Sequence, residues 1–237
     1  MRTVVRTSWS ENLPMLAPTA AANNALHHAM PDDQLMLAYA GGDAAAFDVL
    51  YARHEGALFR FVRRLLGLRL SAEVDEVFQE TWMRIISART SFSPQGASWR
   101  TWAFTIAHNL AMDRLRKSGR EVALPVHGDA DDDVEAAQRF GRSLTRNGST
   151  VADAAHPSAE ELAFWRAAGR RLLTCLDELP DEQRAAFLLH HEDSLTVEAM
   201  ADALGLGFET VRSRLRYGLK KLRTCMERYL SVLEARS

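Results

Sequence analysis

Only two cysteines occur in 237 residues, Cys175 and Cys225, too few for a disulfide framework and too far apart for a zinc cluster. Both fall at helical positions among apolar neighbours, where buried free thiols are expected. No uninterrupted apolar run approaches the ~20 residues that cross a bilayer, and the N-terminus lacks the basic-then-apolar order of a signal peptide. The expectation is a soluble, cytoplasmic chain with no membrane insertion. Several alternating β-branched runs, the mark of a sheet, are also missing, which leaves the all-α class. His27-His28 and His190-His191 lack carboxylate or thiol companions at ligand spacing, so no metal, cofactor or enzyme active site is expected.

A formal net charge of −2 argues against a general polyanion binder, but its distribution is more informative than its total. Basic residues gather at Arg114, Arg116, Lys117 and Arg120, and again at Arg212, Arg214, Arg216, Lys220, Lys221 and Arg223. Between these clusters lies an acidic block of Asp129, Asp131, Asp132, Asp133 and Glu135.

Periodicity divides the chain into two small helical domains. Phe47, Leu50, Tyr51, Leu58, Phe61, Val62 and Leu65 recur at helical spacing, and Gly41-Gly42-Asp43 splits that region into two helices. A third helix is predicted after Leu70, with Ser71 as N-cap and Val74, Val77, Phe78, Thr81 and Ile85 as its buried stripe. A fourth spans about Ser98 to Ser118, following the Ser93-Pro94-Gln95-Gly96 turn. Periodicity fades through a glycine-bearing acidic stretch and resumes from Glu160 to Leu176, then from Asp181 to His190 after Leu179-Pro180. The predicted organisation is an unstructured extension at 1–31, a helical domain at 32–119, an acidic linker at 120–158, a second helical domain at 159–232 and a tail at 233–237. Met30 offers an alternative translation start just ahead of the first helix.

Leu195 to Leu222 reads as a helix-turn-helix. Thr196 is placed to cap its first helix and Glu198 suits the positive helix start, while Val197, Met200, Ala201 and Leu204 share one face. Gly205-Leu206-Gly207 supplies the turn with a central apolar plug. In the second helix Val211, Leu215, Leu219 and Leu222 form the predicted buried stripe, which leaves Glu209, Arg212, Ser213, Arg216 and Lys220 on a solvent face able to enter a major groove. The guanidinium fork suits guanine edges and phosphates. Gly218 inside that helix has no explanation at this level.

Two further clusters carry open alternatives. Trp99, Trp102 and Phe104 lie beside Arg100 and run into Asn109, Asp113, Arg114, Arg116 and Lys117, a composition that suits stacking on unpaired bases, although aromatics at helical spacing more often form an ordinary core. Glu73, Asp75, Glu76 and Glu80 decorate the third helix opposite its apolar stripe, either as a solvated face or as a protein-binding one.

Ala72 to Ile85 (AEVDEVFQETWMRI), Ser98 to Lys117 (SWRTWAFTIAHNLAMDRLRK), Leu179 to Leu189 and Leu195 to Leu215 together resemble bacterial RNA polymerase sigma factors of the extracytoplasmic-function group. The resemblance implies a non-enzymatic initiation factor whose N-terminal, region 2-like domain reads and opens the −10 element and whose region 4-like domain reads the −35 element as duplex. By position it implies that Glu76, Gln79 and Glu80 dock on core RNA polymerase, and that Trp99, Arg100 and Trp102 assist strand opening. Asn109 and Asp113 would then recognise a flipped −10 base, Arg114, Arg116 and Lys117 would contact its phosphates, and Arg212, Ser213 and Arg216 would read the −35 element, with Glu209 and Lys220 beside them on the same predicted face. The implied partners are core polymerase, promoter DNA and an anti-sigma factor. Trp99, His108 and Tyr217 depart from residues common in the family, and the acidic linker is longer than usual; its carboxylates would be suited to mimicking RNA phosphates. An operator-binding regulator independent of polymerase and a sigma-like decoy for an anti-sigma protein are the rival functions.

Overall fold

The computed structural model describes residues 26–120, 159–191 and 194–234. All regular structure among them is helical. The N-terminal domain contains α1 (Asp32–Ala40), α2 (Ala44–Leu66), α3 (Val74–Ser87) and α4 (Trp99–Arg120). The C-terminal domain contains α5 (Ala159–Asp177), α6 (Asp181–His191), α7 (Val197–Leu204) and α8 (Phe208–Glu234). Short 3₁₀ turns at Leu68–Glu73 and Arg89–Ser91 lead into and out of α3. The linker assigned to 120–158 and the tail at 233–237 lie, but for Arg120, Leu233 and Glu234, outside the described residues, as does the extension up to residue 25.

The break at Gly41-Gly42-Asp43 is stabilised by Asp43, whose carboxylate accepts the Ala45 N–H at 3.1 Å and caps α2. The expected unstructured start at 1–31 is corrected for its last residues. A helical turn at 26–29 packs down with His27 buried, its Nε2 2.8 Å from Asp43 Oδ2, and Arg53 donates to the carbonyls of His27, His28 and Met30. Arg53 and His54 also hold Asp32, at 2.7 Å each. Burial alone would push the Asp32 carboxyl upward, but these hydrogen bonds and charges outweigh it and hold the group below its ordinary range.

Ser71 does not cap α3. The chain enters through the 3₁₀ turn, and α3 begins at Val74 with no side-chain cap on its first residues. Its buried face is Val74, Val77, Thr81, Trp82 and Ile85, with Phe78 only half-buried; Trp82 joins Phe47, Tyr51 and Trp99 in an aromatic cluster. Leu50, Leu58, Phe61, Leu65 and Phe104 complete a core in which each large side chain contributes ~1.5–3 kcal/mol of apolar burial.

The C-terminal domain closes on a contact between α5 and α8 that residue spacing does not reveal. Cys175 of α5 and Cys225 of α8 are disulfide-bonded, with Cα atoms 6.0 Å apart, so the expectation of two free thiols is corrected. The helices pack side by side there, which brings together two residues that are 50 positions apart in sequence.

The two domains pack against each other, α2 and α4 facing α5, α6 and α7. Gly67, at φ +65°, lies so near Asp177 and Arg184 that a Cβ there would come within 2.4 Å of Asp177 Oδ1. The Leu68 N–H faces Asp177 Oδ2 at 3.4 Å, and Arg69 pairs with Asp181 at 3.6 Å. Arg184 is almost fully buried and is held by Asp177 and Asp181.

Candidate nucleic-acid and polymerase interfaces

The helix-turn-helix forms as its capping chemistry predicts. The Thr196 hydroxyl accepts the Ala199 N–H at 3.1 Å and opens α7. Gly205 takes the left-handed conformation at φ 62° that ends it, and Leu206 packs inward as the plug. In α8 the buried face is Val211, Leu215, Gly218, Leu222 and Cys225, not the predicted stripe through Leu219, which is 39% exposed. Gly218 thereby finds its reason: a Cβ at that position would stand 3.2 Å from the Gln183 carbonyl oxygen, so glycine lets α8 lie close against α6.

Rotation of the stripe onto Gly218 leaves Glu209, Arg212, Arg216 and Lys220 exposed and Ser213 half-exposed. Arg212 is steadied by Glu209 at 3.4 Å, and the Arg216 guanidinium lies over the Tyr217 ring, 5.0 Å from its centroid. The Ser213 hydroxyl donates to the Thr210 carbonyl at 2.9 Å, which leaves its oxygen lone pairs available.

In the N-terminal domain the aromatic cluster splits in two. Trp99 and Phe104 are fully buried; Trp99 packs against His54 at 4.4 Å between ring centroids and belongs to the core. The expectation that Trp99 offers a face to DNA is therefore corrected: its period places it inward, where Leu35, Phe61 and Trp82 also pack. Trp102 is half-buried against Phe92 at 5.4 Å and keeps part of its surface open; Arg100 beside it lies over Phe104 at 5.4 Å. The start of α4 is fixed from a distance, since the Trp99 N–H donates to Asp33 Oδ1 at 2.6 Å, an N-terminal cap supplied by another helix and absent from the sequence reading.

Further along α4, Asn109, Asp113, Arg116 and Lys117 are exposed. Asp113 pairs with Arg116 at 2.6 Å. Arg114 is turned away from them and reaches α3, where Glu73, Glu76 and Glu80 surround it. The hydrogen bond to Glu76 leads the causes that raise the Arg114 pKa further. Glu76 and Gln79 remain exposed on α3 beside this cluster, with Glu80 half-buried and also reached by Arg84 at 3.4 Å.

Between the domains runs a cleft of about 1000 Å³ lined among others by His108, Asn109, Arg116, Leu206, Arg214 and Lys221. Burial, then the nearby charges of Arg116 and Arg214, lower the His108 pKa against an opposing hydrogen bond to Asn109. Arg214 and Lys221 line this cleft, and Arg212, Arg216 and Lys220 stand outside it. Helical period alone separates the two groups of cations, but only the packing of α4 against α7 shows what the first group meets.

The Sigma-70 region 2 family model matches residues 50–121, and the Sigma-70 region 4 model matches residues 169–222. The ECF RNA polymerase sigma factor SigK of Mycolicibacterium vanbaalenii is 26% identical over 194 residues, covering 82% of this chain and 88% of the relative. SigK of Mycobacterium tuberculosis H37Ra is 27% identical over 195 residues, covering 82% and 93%. The fold is shared with CnrH solved with the cytosolic domain of CnrY, at TM-score 0.50 and 24% identity over 87% of this chain and 99% of that one. It is shared also with the sigma factor RpoE solved with the anti-sigma factor NepR from Bartonella quintana, at TM-score 0.51 and 21% identity over 76% and 96%. With both matched regions falling on the two helical domains in the same order, the chain belongs to the bacterial RNA polymerase sigma factors of the extracytoplasmic-function group.

Proposed function

We propose that this sigma factor docks on core RNA polymerase through the exposed face of α3 at Glu76, Gln79 and Glu80. It reads the −35 element as duplex through Glu209, Arg212, Ser213, Arg216 and Lys220 of α8. The −10 strand is met by Arg100 and Trp102, with Asn109 and Asp113 at the recognised base and Arg116 and Lys117 on phosphates. The chain does no bond chemistry of its own and works in the cytoplasm, where polymerase is. The observation that supports this most is the helix-turn-helix itself: a capped first helix, a left-handed glycine turn and a second helix whose cations face solvent. An anti-sigma protein is the further partner, a reading supported by the likeness to RpoE solved with NepR.

Reconstitution with bacterial core polymerase tests the proposal. A stable holoenzyme and specific run-off transcripts are expected, with holoenzyme lost in the E76A/Q79A variant. In R212A/R216A the holoenzyme should persist while transcription from −35-dependent promoters falls. Failure of the intact chain to bind polymerase would overturn the assignment in favour of an operator-binding regulator or a decoy. Promoter affinity should fall steeply with salt, because each neutralised phosphate releases counterions.

A further inference from the structure

Arg114 lies in the segment whose cations the family resemblance assigns to promoter phosphates, yet its guanidinium faces the opposite way. Nη1 is 3.3 Å from Glu73 Oε2, and Nη2 is 2.5 Å from Glu76 Oε1 and 3.5 Å from Glu80 Oε2. The three carboxylates stand at i, i+3 and i+7 along the entry and first turns of α3, so they share one face. One planar fork with five donors can serve all three at once, which an ammonium on a flexible stem cannot do in the same geometry. A DNA phosphate competing for this guanidinium would have to displace three carboxylates that already surround it. The Arg114 side chain is 25% exposed, whereas that of Arg116, farther along the same helix, is 63% exposed.

From this geometry we infer that Arg114 is a positioning residue for the polymerase-docking face and not a promoter phosphate contact. Glu76 and Glu80 repel each other and Glu73 across one helix face. Arg114 neutralises one of these three charges and ties α3 to α4, so that Glu76 and Glu80 are held at fixed spacing while the face stays net negative. Such a face fits a basic surface on the polymerase. The inference rests on the reading of Glu76, Gln79 and Glu80 as the docking face.

The test uses the full chain with core polymerase and a promoter duplex. R114M should weaken polymerase binding at least tenfold while the thermal midpoint of the free chain changes little, and the salt slope of promoter binding by the saturated holoenzyme should match that of the unaltered chain. R114K should restore part of the lost affinity. In a double-mutant cycle R114M and E76Q should be less than additive, because each breaks the same contact. The inference is overturned if R114M keeps polymerase affinity within twofold while the promoter salt slope drops by about one, the signature of a lost phosphate contact. Should R114M fail to fold, E73Q decides: it cuts one arm of the cluster and leaves the docking residues intact, and about threefold weaker polymerase binding supports the inference whereas unchanged binding overturns it. A fault in the underlying reading shows separately, as undiminished polymerase binding by E76Q/Q79A with Arg114 in place.

Discussion

Reduction of the Cys175–Cys225 disulfide should loosen the C-terminal domain far more than the N-terminal one. The bridge closes a loop of 50 residues, for which the chain-entropy relation gives about 14 cal/mol/K, or about 4 kcal/mol at 25 °C. In a domain of this size each kcal/mol corresponds to roughly 4–8 °C of thermal midpoint, so the ceiling is a drop of roughly 15–30 °C for that domain. Relief of native strain and structure left in the unfolded chain bring measured values below the ceiling, and a fall of about 10 °C is the working expectation. Cys175 is 1% and Cys225 9% exposed, so although a surface pocket borders the bridge, reductant has little access to it until α5 and α8 part locally. Reduction should therefore be slow under native conditions and accelerate in mild denaturant. The assay is hydrogen exchange resolved by peptide, with and without reductant, on a chain whose oxidation state is set by intact mass. Protection should fall in α5, α6 and α8 and hold in α2 and α3. Alkylation of both cysteines without prior reduction, or equal protection in both redox states, would refute the reasoning.

Other expectations follow from the packing. G218V places branched carbon against the Gln183 carbonyl and should lower stability by about 1–3 kcal/mol in a urea melt; an unchanged midpoint would mean that α8 and α6 are not so close. D33A removes the acceptor for the Trp99 N–H and should cost about 1 kcal/mol, read as a lower urea midpoint of the N-terminal domain. His108 has its pKa lowered below the ordinary 6.5 by burial and by Arg116 and Arg214, with Asn109 opposing. The packed form thus binds fewer protons than the open one, so the stabilisation is full above pH 6.5 and is lost as pH falls below it. Exchange protection of α4 and α7 should be lower at about pH 5.5 than at about pH 7.5, and H108Q should flatten that difference.

The helices were largely legible because their signals are local. Asp43, Thr196 and Gly205 each cap or end a helix through bonds spanning two to four residues, and residue order is enough to find them. Features that depend on two distant helices meeting were not legible. The cap of α4 comes from Asp33, 66 residues away, and the disulfide joins positions 50 apart. Trp99 and Trp102 illustrate the same limit within one helix. Both belong to an aromatic, basic segment, but only the neighbours at Trp82 and His54 decide that Trp99 is core while Trp102 stays half open. The stripe of α8 shifts from Leu219 to Gly218 for a related reason, since a residue without a side chain registers in no hydrophobic period.

The seating of Gly67 against Asp177 bears on promoter length. Elements named for positions −10 and −35 are centred about 25 base pairs apart, or roughly 85 Å along straight duplex at about 3.4 Å per step. Helix α4 touches α7, and α7 packs on α8, so the helices proposed to read the two elements adjoin in this form. The thirty-nine residue steps from Arg120 to Ala159 could span up to about 130 Å when fully extended. If the two domains read the elements proposed above, the contact between α4 and α7 has to open before both are engaged at once, and the connecting residues are numerous enough to allow it.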